Sequence, residues 1–392
     1  MIRTLAVSGY RSVRDLALPL TGLDVVTGAN GSGKSNVYRA LRLIADMAQG
    51  GAVGALAREG GLEGVLWAGP EGLSRAMRDG EHEVQGTMRK GPIALRLGFA
   101  SDDLGYLVDL GIPQRDPTTF EATMFGRDPE IKRELVFSGP VARPRSVVLQ
   151  RKRQHVQVRD DEGGWLRIPA LLPGHLSVLS EVADAVTSPE AMILRRRMTG
   201  WRFYDHLRTD AEAPARRPRV GTRTPVLASD GGDLAAAVQT IREEGRRDDL
   251  DALVDRAFPG SRIVIRPRDG VLSLGLEQPG VLRVLDAAEL SDGTLRMLML
   301  IAALLTTQAP ELMVLNEPET SLHQDLLPAL GELVAEASRH VQILVVTHAP
   351  GLASAISAHA DAGELVLEKP FGETVLRGQG LLSTPSWDWG TR

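Results

Sequence analysis

The sequence predicts an α/β fold: a parallel core sheet flanked by helices, joined to an antiparallel β subdomain and a helical insertion. Three observations carry this. Residues 23–27, Leu-Asp-Val-Val-Thr, read as a buried strand entering a glycine-rich loop and then a helix with Val37, Ala40, Leu41, Ile44 and Ala45 at helical spacing. Towards the other end, helical patterns at 294–305 and 324–337 alternate with short apolar strand patterns at 311–315 and 342–347, as in a parallel sheet covered on both faces. The ~240 residues between these halves have a different texture, of alternating strands and polar loops.

In chain order, Met1-Ile2-Arg3-Thr4-Leu5-Ala6-Val7 runs straight into a strand pattern and shows no signal-peptide apolar region. Two strands, the loop and a helix occupy the first 50 residues, and 51–69 is glycine-rich. Residues 93–100, 106–110, 146–151 and 156–159 read as exposed antiparallel strands. Helices are expected at 178–184, 189–198, 234–246 and 250–258, a Pro/Arg-rich loop at 211–225, and a hairpin from 262–266 and 271–276. The expected division is a split core of 1–50 and 280–392, a β-rich lobe at 51–170, and a helical and loop insertion at 171–279. No heptad run sustains a coiled-coil arm, and no internal repeat is present.

Composition bounds the function classes. With 392 residues, 43 % hydrophobic and 24 % charged, the chain can bury a full core. It has no cysteine, which excludes disulfides and thiolate zinc sites and fits a reducing compartment. The longest apolar run, 297–305, is too short to span a bilayer, so a cytoplasmic protein without a membrane partner is expected. The net charge of −5 does not announce a nucleic-acid partner. Basic clusters at Arg143 with Arg145, Arg151-Lys152-Arg153, Arg195-Arg196-Arg197, and Arg216-Arg217 with Arg219 and Arg223 read first as solvated surface, since acids are interleaved.

The most informative stretch is Gly28-Ala29-Asn30-Gly31-Ser32-Gly33-Lys34-Ser35, which fits GxxxxGK[ST] in the strand–loop–helix setting that motif needs. Its glycines let successive backbone N–H groups turn inward as an anion nest at a helix N-terminus. Asn30, Gly31, Ser32, Gly33, Lys34, Ser35 and Asn36 are therefore expected to hold a nucleoside triphosphate, with Lys34 on the β- and γ-phosphates and the Ser35 hydroxyl on Mg²⁺.

Such a loop needs an acidic partner strand. Leu312-Met313-Val314-Leu315 delivers Asn316, Glu317, Pro318 and Glu319 at its C-terminal end, where ligands collect in doubly wound sheets. Glu317 is the candidate to polarise an attacking water. His348 closes the next apolar strand and can reach a γ-phosphate. Ser321-Leu322-His323 turns into a helix, and Leu290-Ser291-Asp292-Gly293-Thr294 precedes another, 26 residues from Ser291 to Glu317.

This order of P-loop, LSxG, acidic strand and strand-terminal histidine resembles the ATP-binding-cassette ATPases. More narrowly, the chain resembles the RecF/SMC-like predicted ATPases that include the OLD-family heads: P-loop NTPases of ABC/SMC-head type. Ile2-Arg3-Thr4-Leu5 through Gly9-Tyr10-Arg11-Ser12 is similar to that group's opening strand and "F/Y-R-S" element. The resemblance covers 1–48 and 286–358. It implies that Arg11 approaches the phosphates and that ATP and Mg²⁺ are the cofactors. It implies a homodimer on ATP binding, in which Ser291, Asp292 and Gly293 meet the nucleotide of the other subunit. Ser321 and His323 would then lie at the dimer seam, and His348 would act as the switch histidine.

Two departures bear on turnover. Asn316 stands where the family usually has an acid that holds Mg²⁺ through water. An amide there forgoes several kcal/mol of gross attraction at ~4 Å and an effective dielectric of roughly 20. The glutamine that couples metal to partner has no assigned position, although Gln150 follows an apolar strand. The leading expectation is an ATP-hydrolysing dimeric switch acting with DNA in repair, recombination or defence. The alternative is a slow, nucleotide-gated module controlling a separate effector protein, since no Toprim-like acidic set follows residue 358. Leu-Ser-Asp-Gly-Thr in place of LSGGQ, with a larger insert, argues against a transporter subunit.

Overall fold

The computed structural model describes residues 1–70, 94–113, 126–169, 171–205, 207–380 and 382–390. Two compact units result: one of Met1–Thr21, Gly28–Trp201 and Leu365–Arg392, the other of Gly22–Thr27 and Arg202–Glu364. This division cuts the chain at other positions than the lobes expected from sequence texture. Strands β1 (Ile2–Tyr10) and β2 (Val13–Pro19) form a hairpin, while β3 (Leu23–Gly28) belongs to the second unit's sheet.

In the first unit, β1 pairs antiparallel with β4 (Leu95–Ser101), which draws the N-terminus into the β-rich sheet. The sheet continues through β5 (Leu104–Gly111), β6 (Glu130–Ser138), β7 (Val147–Lys152), β8 (His155–Arg159) and β9 (Trp165–Arg167), in the order β2-β1-β4-β5-β6-β7-β8-β9. Residue 93, where a strand was expected to start, lies outside the described residues. Helix α1 (Lys34–Met47) buries Val37, Leu41, Ile44 and Ala45, one stripe at helical spacing. The glycine-rich stretch that follows folds as two short helices, α2 (Ala52–Arg58) and α3 (Gly61–Val65). Helices α4 (Val178–Glu181) and α5 (Pro189–Gly200) complete this part of the chain.

The expectation of exposed strands is corrected here: β5 is buried at every position. So is the surface reading of Arg151, which is fully buried against a fully buried Glu134 at 3.0 Å. Glu134 also accepts from the Tyr106 hydroxyl (2.6 Å), Ser177 Oγ (2.6 Å) and the Val178 N–H (3.0 Å), while Arg151 donates to the carbonyls of Arg153, Leu176 and Pro173. A charge with every lone pair and proton matched can sit in a core; one half left alone cannot.

The second unit holds a parallel sheet of β10 (Arg202–Tyr204), β15 (Leu312–Asn316), β16 (Gln342–Val346) and β3, in that order. A smaller antiparallel sheet comprises β11 (Arg219–Val220), β12 (Arg262–Arg268), β13 (Val271–Glu277) and β14 (Leu285–Asp286). Helices α6 (Leu234–Glu243), α7 (Arg247–Ala257), α8 (Asp292–Leu304), α9 (Leu327–Ala337) and α10 (Pro350–Ser357) pack their apolar residues into one core with the parallel strands. Helix α8 is buried from Leu295 to Leu304, Arg296 included. Helix α9 starts three residues later than its pattern suggests, because Pro328 occupies its first turn and 324–326 forms a 3₁₀ turn. The last strands, β17 (Gly363–Glu368) and β18 (Val375–Leu376), pair antiparallel through Leu367↔Leu376.

Replacing Arg151 by Met should leave the Glu134 carboxylate buried without its cation and lower the unfolding free energy by about 3–5 kcal/mol. The double change Arg151→Met with Glu134→Leu should recover much of that loss in urea unfolding.

Candidate functional site

The P-loop is built within the first unit. Gly28 has φ 141°, and a side chain there would place Cβ 2.2 Å from the Leu367 carbonyl oxygen. At Gly33, φ is 103° and a Cβ would lie 2.1 Å from Thr374 Oγ1. Both positions accept only glycine, for backbone and for space. Lys34 Nζ turns back to donate to the carbonyls of Gly28 (2.7 Å) and Ala29 (3.1 Å). Asn30 and Gly31 are exposed at the loop's tip, whereas Ser32 is buried with an Oγ that has no protein partner. Ser35 is half-buried in the first turn of α1.

A directed hydrogen-bond chain braces this loop. Thr374 Oγ1 donates its one proton to the Ser32 carbonyl (2.8 Å), so it must accept from Ser12 Oγ (2.7 Å). Ser12 Oγ in turn accepts from Asn36 Nδ2 (2.8 Å), and the Thr374 N–H donates to the Ser12 carbonyl (2.7 Å). Asn36 is thereby a loop brace, and Ser12 and Thr374 are site residues that sequence reasoning missed. Nothing in a sequence separation of 362 residues signals the Ser12–Thr374 pairing.

Arg11, beside them at φ 49°, binds Glu59 through Nη2 (2.8 Å) and Nε (3.3 Å), and the Tyr10 hydroxyl shares the same carboxylate oxygen (2.5 Å). Burial, then the Glu59 hydrogen bond, pushes the Tyr10 hydroxyl well above the usual phenol range.

The second unit gathers the acidic set. Strands β15 and β16 pair as Asn316↔Val346, and β16 pairs with β3 as Val346↔Val26. The parallel strands thus end level, one in Asn316-Glu317, one in Thr347-His348, one in the residue pair Thr27-Gly28 that opens the P-loop. Glu317 has φ 48°, and its N–H donates to the Val346 carbonyl (2.7 Å). The side chains of Glu317 and His348 are partly exposed, with His348 Nδ1 3.9 Å from Glu317 Oε1.

Glu319 is buried. Its Oε1 accepts from Thr347 Oγ1 (2.5 Å) and the His348 N–H (3.2 Å), and lies 3.4 Å from His348 Nδ1. Arg296, reaching out of the apolar α8, donates to the carbonyls of Leu207 (3.1 Å), Glu317 (3.1 Å) and Pro318 (3.2 Å). Burial lowers the Arg296 pKa, against the opposing charges of Glu319 and Glu317. Arg296 therefore clamps the left-handed turn that presents Glu317. Its signal in the sequence was a lone arginine in an otherwise apolar helix.

The LSxG segment lies in the same unit. Ser291 Oγ caps α8 by accepting from the Thr294 N–H (3.1 Å). Asp292 accepts from Arg216 Nη2 (2.8 Å), and Arg216 Nη1 also binds the carbonyls of Leu290 (2.7 Å) and Ala287 (3.0 Å). This corrects the solvated reading of Arg216, whose side chain is 8 % exposed. A Cβ on Gly293 would stand 2.7 Å from the Ser321 carbonyl oxygen, so the glycine lets Ser321, itself at φ 66°, pass close. Ser291, Asp292, Ser321 and His323 are exposed. Gln150 bonds Gln157 across β7–β8 (2.9 Å).

Each unit offers an oxygen of the kind a hard divalent cation takes: the Ser35 hydroxyl in the first, and in the second an Asn316 Oδ1 that is buried with no protein partner. No cluster of three or more His, Asp or Glu set to hold a metal alone occurs among the described residues.

These features define a P-loop ATPase of the ABC/SMC-like class. The chain belongs to the family described as "AAA domain, putative AbiEii toxin, Type IV TA system", whose model matches residues 25–354. It is 34 % identical over 143 residues to the nickel import ATP-binding protein NikD of Rhodospirillum rubrum, a match covering 35 % of this chain; the chain spans about half, 52 %, of that relative's length. Among solved structures it is similar to an SMC head bound to the C-winged helix domain of ScpA, with TM-score 0.52, 14 % identity, and 97 % of this chain and 98 % of that one covered. An SMC head domain from Thermotoga maritima superposes with TM-score 0.46 at 14 % identity, covering 97 % and 99 %.

Gly293→Ala should force the α8 start and the Ser321 turn apart, costing about 1–3 kcal/mol locally. The expected outcome is a folded chain by circular dichroism whose ATP turnover falls at least tenfold.

Proposed function

We propose that this chain is an ATP-binding and ATP-hydrolysing switch that pairs with a second copy of itself when ATP is bound. The observation that supports it most is the level ending of β15 and β16 in the second unit, which brings Glu317 and His348 out at one edge of a parallel sheet, with His348 Nδ1 3.9 Å from Glu317 Oε1. The P-loop amides would hold the phosphates, and Lys34 would exchange two neutral carbonyls for charged phosphate oxygens. Glu317 would take the proton of the attacking water, and His348 would contact the γ-phosphate. Buried Glu319 is a positioning residue, since it holds Thr347 and the His348 backbone.

Ser35 directly, and Asn316 through water, would hold Mg²⁺, which supplies charge neutralisation on the phosphates when bound. Arg11 would exchange Glu59 for phosphate. Exposed Ser291 and Asp292, with Gly293, would face the nucleotide of the partner copy, and Ser321 and His323 the seam.

Lys34→Ala should remove ATP binding at the P-loop, read by a fluorescent nucleotide. Glu317→Gln should still bind ATP, lose turnover by about 10²-fold or more, and accumulate as a dimer in size-exclusion chromatography. Normal hydrolysis by Glu317→Gln would overturn the base assignment. Asn316→Asp should lower the Mg²⁺ concentration needed for half-maximal turnover; an unchanged requirement would mean that Asn316 does not serve the ion.

For the partner, a DNA role in repair, recombination or defence draws support from the exposed Arg143, Arg145, Arg195 and Arg196. Charge pairing favours the second reading, in which a separate effector protein is controlled. Arg151 and Arg216 are buried, while Arg197, Arg217 and Arg223 pair with Asp103, Glu212 and Glu244. The SMC head with similar fold is itself described bound to a protein domain. No helix among the described residues is long and apolar enough to cross a membrane. Anisotropy of labelled duplex DNA across a salt series decides the matter: ATP-enhanced binding with a steep salt slope supports DNA, and its absence supports the effector.

A further inference from the structure

The arginine cluster at 216–219 is not absorbed by the ATPase reading. In the second unit it lines a cavity of about 490 Å³ together with the β12–β13 hairpin. Arg216, Arg217, Arg219, Arg266 and Arg268 line it with two carboxylates, Asp233 and Asp286, while Asp292 and Glu212 outside the lining pair with Arg216 and Arg217. Both carboxylates are engaged: Asp233 accepts from the Ala228 N–H (3.0 Å) and Asp286 binds Arg266 (2.6 Å). Burial raises the Asp233 pKa, against the opposing charge of nearby Arg219.

Arg219 and Arg268 hydrogen-bond no carboxylate among the described residues, and the acid nearest Arg268 is Asp269 at 4.0 Å. Strand pairing sets them close: β13 places Leu272 opposite Arg219 on one side and Pro267 on the other, with Val271 opposite Arg268. Between the cations the floor is apolar, formed by Ala235, Ala236, Leu272 and Leu274.

We propose that this cavity is a second binding site, for a phosphate-bearing small molecule of about nucleotide size. Two guanidinium groups without a hydrogen-bonded carboxylate, Arg219 and Arg268, beside three further arginines in one concavity, match phosphate geometry, where planar forks give paired charge-assisted hydrogen bonds. The volume falls in the range of small-molecule sites, and the apolar floor suits the remainder of such a ligand. A concave site of this size does not suit a nucleic-acid duplex, which needs an extended basic surface. The proposal depends on neither the P-loop nor the LSxG reading. Arg216 nevertheless lines this cavity and also holds Leu290 and Asp292.

Pyrophosphate is the probe, and the full-length Lys34→Ala chain removes the P-loop lysine so that the cavity reports by itself. Calorimetric titration should show one pyrophosphate per chain, with affinity falling as salt rises. Adding Arg219→Glu and Arg268→Glu should weaken binding roughly tenfold to hundredfold. The milder Arg219→Gln with Arg268→Gln serves if charge reversal impairs folding by circular dichroism. No binding by the Lys34→Ala chain, or equal binding by the folded arginine variants, overturns the proposal. ATP binding that Lys34→Ala leaves unchanged, and that persists when the two arginine changes are added, would instead overturn the P-loop reading.

Discussion

The candidate site depends on the register of three parallel strands. Val26, Val346 and Asn316 are joined by adjacent pairings, so the residues that follow them emerge level at one sheet edge. A slip of one residue in either ladder would reverse the side-chain alternation and turn Val345 and Leu315 from the helix-packed core to the sheet's other face. The apolar run of each strand, buried on both faces, therefore sets the height at which Glu317, His348 and Thr27 appear. The placement of these residues is a by-product of hydrophobic packing.

Beyond the strand ends, a few buried polar groups decide how the loops run. Glu319 binds the Thr347 hydroxyl and the His348 amide, and Arg296 holds three carbonyls of which two belong to Glu317 and Pro318. An ionised group in a core must find such partners or titrate. That requirement makes Arg296 and Glu319 unforgiving: each determines the path of a loop that water-exposed residues would leave free. The chain from Asn36 through Ser12 and Thr374 to the Ser32 carbonyl does the same for the P-loop, with a direction set by one proton per hydroxyl.

Asn316 illustrates a local chemical choice. Its amide oxygen is buried and unpartnered, an arrangement that is costly unless something outside the chain satisfies it. An amide in place of a carboxylate keeps one acceptor and gives up a charge, so under the proposed reading it would hold a dication less strongly.

The sequence by itself determined the strand–loop–helix around Lys34, the alternation of helices with apolar strands after residue 290, and the identity of Glu317 and His348 as strand-terminal residues. Those features are encoded in local periodicity and in a motif whose spacing is its mechanism. Only the tertiary structure decided that β1 and β2 join the antiparallel sheet, that β5 is buried throughout, and that Arg151 and Arg216 serve as internal cations. It also decided which distant residues brace the P-loop. An arginine's fate as surface charge or buried clamp turns on a carboxylate or carbonyl that lies 17 residues away for Arg151 and 74 for Arg216. Short-range pattern carries no record of that partner, because the pairing is made by the fold and not by the chain's local preferences.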